Sequence, residues 1–414
     1  MSHVPKPAPA PRPGPRPLAL YLAQATTMWN SSLAVLPLAR SGSLPWRPGL
    51  RESAAALAGD LAAVGAEPLT CAVAAEAAGR LDGMLAGIEA YRRHPYRRPL
   101  RDPPTVWRAG ATRLLDYGAR RRDAAQATPA LFVPSLVNRA YILDLSRRHS
   151  LMRYLAARGV RPLLVDWGEP GEAERGFDLS DYVADRLEAA LDAARAVCGR
   201  APVLVGYCMG GLLALALALR RAGDVRGLAL LATPWDFHAA EDANRRLIAA
   251  AAAPLEALLA GWGELPVDLL QAMFTWSDPA LVANKFRAFA RLDPESREAE
   301  DFVALEDWLN DGVPLVGPVA RECLAGWYGE NRPGRGAWHI AGVPVRPEAL
   351  DLPTLVVVPA RDRIVPPASA AALAATIPDA RCATPPLGHI GMMVGAAARK
   401  TLWRPLRDWL RALD

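Results

Sequence analysis

The sequence predicts an α/β fold: a mostly parallel sheet with helices on both faces, a helical extension before it and a helical insertion within it. Three observations carry this. Short apolar runs alternate with helical segments from Thr105 to Leu231, the alternation then breaks for roughly a hundred residues, and it resumes at Thr354.

Residues 1–17 are Pro-rich and read as an extended, mobile tail. Residues 18–104 form a helical N-terminal region, because Arg51–Val64 and Cys71–Tyr91 space their apolar residues at helical intervals. Its end, Tyr91–Pro104, is a basic, Pro-punctuated connector. The first part of the α/β core spans 105–234. Val106–Tyr117 carries Ala-Gly at its middle and predicts two short strands around a turn. Ala130–Pro134, Arg161–Asp166, Pro202–Gly206 and Arg226–Leu231 read as strands. Ser150–Arg158 reads as a helix ended by Gly159, Leu179–Val197 as an amphipathic helix capped near Asp178 or Ser180, and Gly210–Arg221 as a further helix. Residues 235–333 are mostly helical and read as a cap or lid, an insertion of the kind that covers active sites. The second part of the core, 334–414, has strands at Thr354–Pro359 and, weakly, Arg381–Thr384, with helices at Ala368–Thr376 and Ala396–Leu413.

Composition narrows the function. The 414 residues are 51% hydrophobic and 22% charged, which allows a large core and excludes global disorder. A net charge of +5 is too small for a nucleic-acid binder. Lysine occurs only at Lys6, Lys285 and Lys400, so nearly all positive charge is arginine. That suits phosphate and carboxylate recognition, and equally a genome favouring Arg and Ala codons. The five cysteines include no C-x-x-C pair; neither a disulfide framework nor a thiolate metal site is expected, and a cytoplasmic location fits. The N-terminus lacks the apolar core of a signal peptide. The longest apolar stretches, Leu212–Leu219 and Leu247–Leu255, fall far short of the ~20 residues of a transmembrane helix.

The sharpest local signal is Gly206-Tyr207-Cys208-Met209-Gly210, after a strand and opening a helix. It has the form of the nucleophile elbow G-x-S-x-G with Cys replacing Ser. Small residues are needed at positions 206 and 210, where the tight turn would make side chains clash. The N–H of Met209 would face an oxyanion, and the helix N-terminus would favour a thiolate. In α/β-hydrolases the chain order is nucleophile, acid, base. Asp362, after the strand Thr354–Pro359, stands where the acid belongs, and His389, after the last weak strand, where the base belongs. The second oxyanion donor is expected from the loop after Ala130–Pro134; the N–H of Val137 is favoured, with Leu136 next. Taken singly, Cys208 could be a buried structural thiol, Asp362 a loop carboxylate paired with Arg361 or Arg363, and His389 a surface histidine. Asp236 could shape the site but reads first as a helix N-cap, and His149 and His238 read as surface or capping groups. Trp262, Trp276, Trp308 and Trp327 read as packing residues before channel walls, and Arg92, Arg93, Arg97 and Arg98 as a solvated cluster.

At these residues the chain resembles the polyhydroxyalkanoate synthases, nearest the class III type. The matching segments are WRAGATRLLDYG (107–118), PSLVNRAYILDL (134–145), LVDWGEPG (164–171), LVGYCMGG (204–211), TPWDF (233–237), FVALEDWLND (302–311), ENR (330–332), RDRIVPP (361–367) and GHIGMMVG (388–395). The resemblance implies an α/β-hydrolase fold with Cys208 as acyl-carrying nucleophile, His389 as base and Asp362 as acid. It also implies a 3-hydroxyacyl-CoA substrate, a growing polyester chain and granule surface as partners, and an accessory subunit; a homodimer is a further option. No cofactor is expected beyond coenzyme A in the substrate. Arg363 stands where the family carries His, and residues 18–104 match nothing in it. Two alternatives remain open on the same residues: a Cys-nucleophile hydrolase of thioesters, lactones or polyesters, and a catalytically weak granule-associated scaffold.

Overall fold

The computed structural model describes residues 11–239, 243–275 and 278–414, arranged in two compact units. One holds the described residues up to Tyr96 together with those of Thr275–Glu306; the other holds Arg97–Phe274 with Asp307–Asp414.

The second unit is built on an eight-stranded sheet. Its strands are β1 (Thr105–Ala109), β2 (Thr112–Asp116), β3 (Thr128–Val133), β4 (Val160–Asp166), β5 (Val203–Tyr207) and β6 (Leu228–Leu231), then β11 (Thr354–Val357) and β12 (Arg381–Ala383). Two short pairs intervene in the chain: β7 (Glu264–Leu265) with β8 (Leu315–Val316), and β9 (His339–Ile340) with β10 (Val343–Pro344). The sheet order is β1-β2-β4-β3-β5-β6-β11-β12. The β1–β2 and β2–β4 pairs are antiparallel and the others parallel. Every residue of β3, β5, β6 and β11 is buried. That is why these strands read as unbroken apolar runs: helices cover both faces, so no position alternates to water.

The helices lie close to the expected positions. Ser150 caps Leu151–Ala156 by accepting the N–H of Arg153 at 3.0 Å. The predicted helix over Leu179–Val197 opens with a wide turn at Asp181–Leu187 and becomes regular at Glu188–Cys198. Asp178 is its cap, exchanging backbone-to-carboxylate bonds with Asp181. Ser180 instead accepts the N–H of Ala341. Helix Met209–Arg220 buries ten residues, as its Leu/Ala composition demands of a helix wedged against the sheet.

The first unit is helical. Leu18–Arg40 contributes Tyr21, Ala25 and Trp29, and Ala66–Arg93 contributes Met84, Ile88 and Tyr91. Against them pack Val282, Phe286 and Phe289 of helix Leu281–Phe289, with Ala299 and Val303 after it. Phe289 stacks on Phe302 with ring centres 4.3 Å apart, and Tyr91 meets Phe286 edge-on at 5.8 Å. Gly87 permits the approach: a Cβ there would collide with the carbonyl of Phe286. The segment expected as one insertion, 235–333, thus divides, its middle sharing a core with helices encoded some two hundred residues earlier.

The expectation of a mobile tail over residues 1–17 fails at Arg12. Arg12 is buried, and its guanidinium caps the carbonyls of Tyr91, His94 and Tyr96 at the end of helix Ala66–Arg93. Those last carbonyls have no helical donors, so a cation finds a ready site there. Among the described residues no single helix is long and apolar enough to cross a membrane.

Candidate active site

Cys208 sits between β5 and helix Met209–Arg220 at φ 57°, ψ −130°. A non-glycine residue held there stores on the order of 1–3 kcal/mol of strain, which persists only where the surroundings over-determine it. Here the N–H of Cys208 donates to Leu231 O at 2.9 Å, and its carbonyl accepts from Gly211 N at 2.9 Å. A Cβ at Gly206 would strike Gly211 and stand 2.7 Å from Gly210 O; one at Gly210 would strike the carbonyls of Val133 and Pro134. The expected need for small residues therefore has named obstacles, and the same closeness sets the 134–137 loop against the elbow.

Asp362 and His389 come from two loops laced together after β11 and β12. Ala360 N donates to Pro385 O and Arg361 N to Leu387 O, each at 2.9 Å. Asp362 Oδ1 accepts the N–H groups of Ile364 and Val365 at 2.8 and 2.9 Å, and Oδ2 takes the Nδ1 of His389 at 2.7 Å. Both side chains are buried. Tyr207, beside the elbow, donates its hydroxyl to His389 O at 3.2 Å and stacks its ring on the imidazole at 5.1 Å. With Nδ1 committed to Asp362, the other ring nitrogen is left for the sulfur of Cys208. Burial disfavours the imidazolium, but the sulfur of Cys208 and the carboxylate of Asp362 outweigh it and raise His389 from 6.5 to about 10. The structure thus brings together the three side chains that sequence order singled out.

Cys208, Met209, Ser135 and Val137 line one cavity. The Met209 N–H lies in the first helical turn, where no helical acceptor exists. The N–H of Val137 is not vacant: it donates to Ser135 Oγ at 3.0 Å. The loop is anchored by Trp167, whose indole N–H donates to Pro134 O at 3.0 Å.

Other candidates fall elsewhere than expected. Asp236 is no N-cap. Its Oδ1 accepts the N–H of His238, closing an Asx turn, and the amide of Asn331, both at 2.8 Å, while the residue lines the cavity of Cys208. Asn331, buried and at φ 55°, was singled out by no spacing rule; it also accepts the N–H of Phe237 at 2.9 Å. His238 is exposed, with its Nε2 3.0 Å from Tyr328 O, and His149 lies outside the cavity lining. Trp308 is packed, its indole donating to Arg139 O at 2.8 Å. Trp327 is buried yet forms part of the cavity wall. Trp262 is 61% exposed, at the end of its helix, and not core. Trp276 lies outside the described residues. Arg93 and Arg97 are exposed, as expected of solvated charge, and Arg92 lies half-buried beside Glu89, whereas Arg98 pairs with the buried Asp144. Among the described residues no group of three or more His, Cys, Asp or Glu is placed to hold a metal ion.

The sequence profile of the alpha/beta hydrolase fold family matches residues 131–396. A poly(3-hydroxyalkanoate) polymerase subunit PhaC of Allochromatium vinosum is 30% identical over 292 residues, covering 69% of this chain and 81% of that protein. The chain belongs to the poly(3-hydroxyalkanoate) polymerase family. The subunit of the same name from Haloferax mediterranei is 29% identical over 309 residues, 73% of this chain and 62% of that one. That of Synechocystis is 29% identical over 294 residues, 68% and 77% respectively. This polymerase-family chain therefore spans less than two thirds of the Haloferax relative's length.

Proposed function

We propose that this chain polymerises 3-hydroxyacyl-CoA into polyhydroxyalkanoate, releasing coenzyme A through a thioester on Cys208. The observation that carries the reading is a thiol, not a hydroxyl, at the strained elbow, beside an imidazole fixed by Asp362. Family membership supports it.

The Cys208 sulfur attacks the thioester carbonyl as a thiolate whose proton already rests on His389, which passes that proton to the departing coenzyme A thiol. One thioester replaces another, so the acyl group stays activated. The hydroxyl of a growing chain then attacks, its proton goes to His389, the S–C bond breaks and an oxoester forms, a downhill step. A serine would reach the oxoester at once and leave nothing to drive elongation. The developing oxyanion is met by the N–H of Met209. Val137 can supply the second N–H if it releases Ser135 Oγ; losing one such donor typically costs about 3–4 kcal/mol. Helices Ala243–Trp262 and Val267–Thr275 act as the cover that keeps water from the acyl-enzyme. No cofactor takes part, since coenzyme A enters with the substrate. The relatives named as polymerase subunits support an accessory subunit as partner. We place the chain in the cytoplasm, at the polymer granule surface.

The test is incubation with 3-hydroxybutyryl-CoA, following coenzyme A release and insoluble product in parallel, with Cys208→Ala as control. Polymer formed with coenzyme A release supports the reading. Free hydroxy acid at one per coenzyme A released would replace it with the hydrolase, and an unchanged cellular phenotype in Cys208→Ala would replace it with the scaffold.

A further inference from the structure

The cavity at Cys208 is walled by apolar side chains, among them Leu270, Met273, Phe274, Leu324 and Trp327. Two charged residues join that wall. Arg363 is exposed, whereas Asp236 is partly buried. Asp236 is held firmly: Oδ1 accepts from both Asn331 and His238, and its own N–H reaches Ser369 O at 3.5 Å. Asn331 is itself buried, with its carbonyl oxygen taken by Phe237 N. Two bonds to one oxygen leave the other, Oδ2, with no donor among the described residues.

A carboxylate oxygen held in place on an otherwise apolar wall, with no donor from the described residues, offers a charge-assisted hydrogen bond to a ligand that brings a donor. A plain acyl chain brings none, while an acyl chain with a hydroxyl brings one. The two serines of the wall are already engaged as acceptors: Ser135 Oγ accepts Val137 N, and Ser369 Oγ accepts Trp235 N at 3.1 Å. We propose that Asp236 receives the hydroxyl group of the acyl chain carried on Cys208, and so selects hydroxyacyl over unsubstituted acyl substrates. The proposal rests on the acyl-enzyme reading above but not on the donor being a coenzyme A thioester. Asn331 is the positioning residue that aims the carboxylate.

The test uses the full chain and the p-nitrophenyl esters of 3-hydroxybutyrate and butyrate. The sulfur–carbon bond forms, the ester C–O bond breaks and nitrophenolate leaves, so the burst reads acylation alone. The parent should prefer the hydroxy ester about tenfold to a hundredfold, the range of a hydrogen bond to a charged group. Asp236→Ala should bring that ratio close to one by slowing only the hydroxy ester. Asp236→Asn, isosteric and still able to accept, should lie between. A parent ratio within twofold overturns the proposal without any variant having to fold. So does an equal loss on both esters in Asp236→Ala, the mark of a purely structural residue. If 3-hydroxybutyryl-CoA releases no coenzyme A while the ester preference persists, the polymerase reading fails and this one stands. The absence of any burst from the parent overturns both.

Discussion

Replacing Asp362 by Asn preserves the side chain's shape and inverts one hydrogen bond. In the parent, Oδ1 serves the N–H groups of Ile364 and Val365, and Oδ2 serves Nδ1 of His389. Asparagine has one oxygen for these two tasks. If it stays with the backbone donors, an NH2 group faces Nδ1, which must then act as acceptor. The ring proton moves to the nitrogen facing Cys208, and that nitrogen can no longer take the thiol proton. If the amide turns over, His389 is satisfied but two backbone N–H groups are left facing donors, at about 1–3 kcal/mol each. The first arrangement is the cheaper by roughly 2–6 kcal/mol, so the wrong tautomer prevails. Acylation should fall by about a thousandfold to ten-thousandfold, on the order of 4–5.5 kcal/mol of barrier. Substrate affinity should change little. Single-turnover release of coenzyme A from 3-hydroxybutyryl-CoA, read by stopped flow, measures it. An Asp362→Asn protein with native circular dichroism and a rate within tenfold of the parent would refute the reasoning.

Three further outcomes are expected. His389 is raised from 6.5 to about 10, with burial opposing and Cys208 and Asp362 prevailing, so the stabilisation it brings is complete below pH ~6.5 and vanishes as pH climbs through 10. The melting temperature of the parent should accordingly drop more steeply between pH 7 and 10 than that of His389→Gln; parallel curves would contradict this. Cys208→Ser should release at most one coenzyme A per chain and yield no polymer, since its oxoester holds no drive for elongation; sustained polymer growth would count against the thioester argument. Gly87→Ala should destabilise the helical unit by about 1–3 kcal/mol, because the new methyl meets the Phe286 carbonyl. Hydrogen exchange should then quicken in Ala66–Arg93 while β3 and β5 stay protected, and uniform exchange across both units would disprove it.

The strands of the sheet and the Cys208, His389 and Asp362 grouping were legible because their signals are local. A fully buried parallel strand is an apolar run, an elbow is a glycine pattern, and chain order places the acid and base after particular strands. What stayed hidden depends on partners distant in sequence. Trp29, Met84 and Phe286 are each ordinary helical residues, and nothing in their spacing says that they meet. Arg12 looked like part of a Pro-rich tail because its acceptors are carbonyls, which a sequence does not display. Asp236 fits the pattern of an N-cap, and only Asn331, ninety-five positions on, turns it toward the cavity. Val137 shows the same limit on a smaller scale, since its N–H is claimed by a hydroxyl just two residues before it.

The helical unit is assembled from two separated stretches of chain, and this governs how it is made. At ~5–20 residues per second, the helices ending at Arg93 emerge from the ribosome roughly 10–40 s before the phenylalanines at 286 and 289 that complete their core. Through that interval Met84, Ile88 and Tyr91 stand uncovered, and a chaperone or a neighbouring nascent chain can reach them first. Yield in a recombinant host should therefore respond more to translation speed and chaperone supply than the stability of the finished protein would suggest.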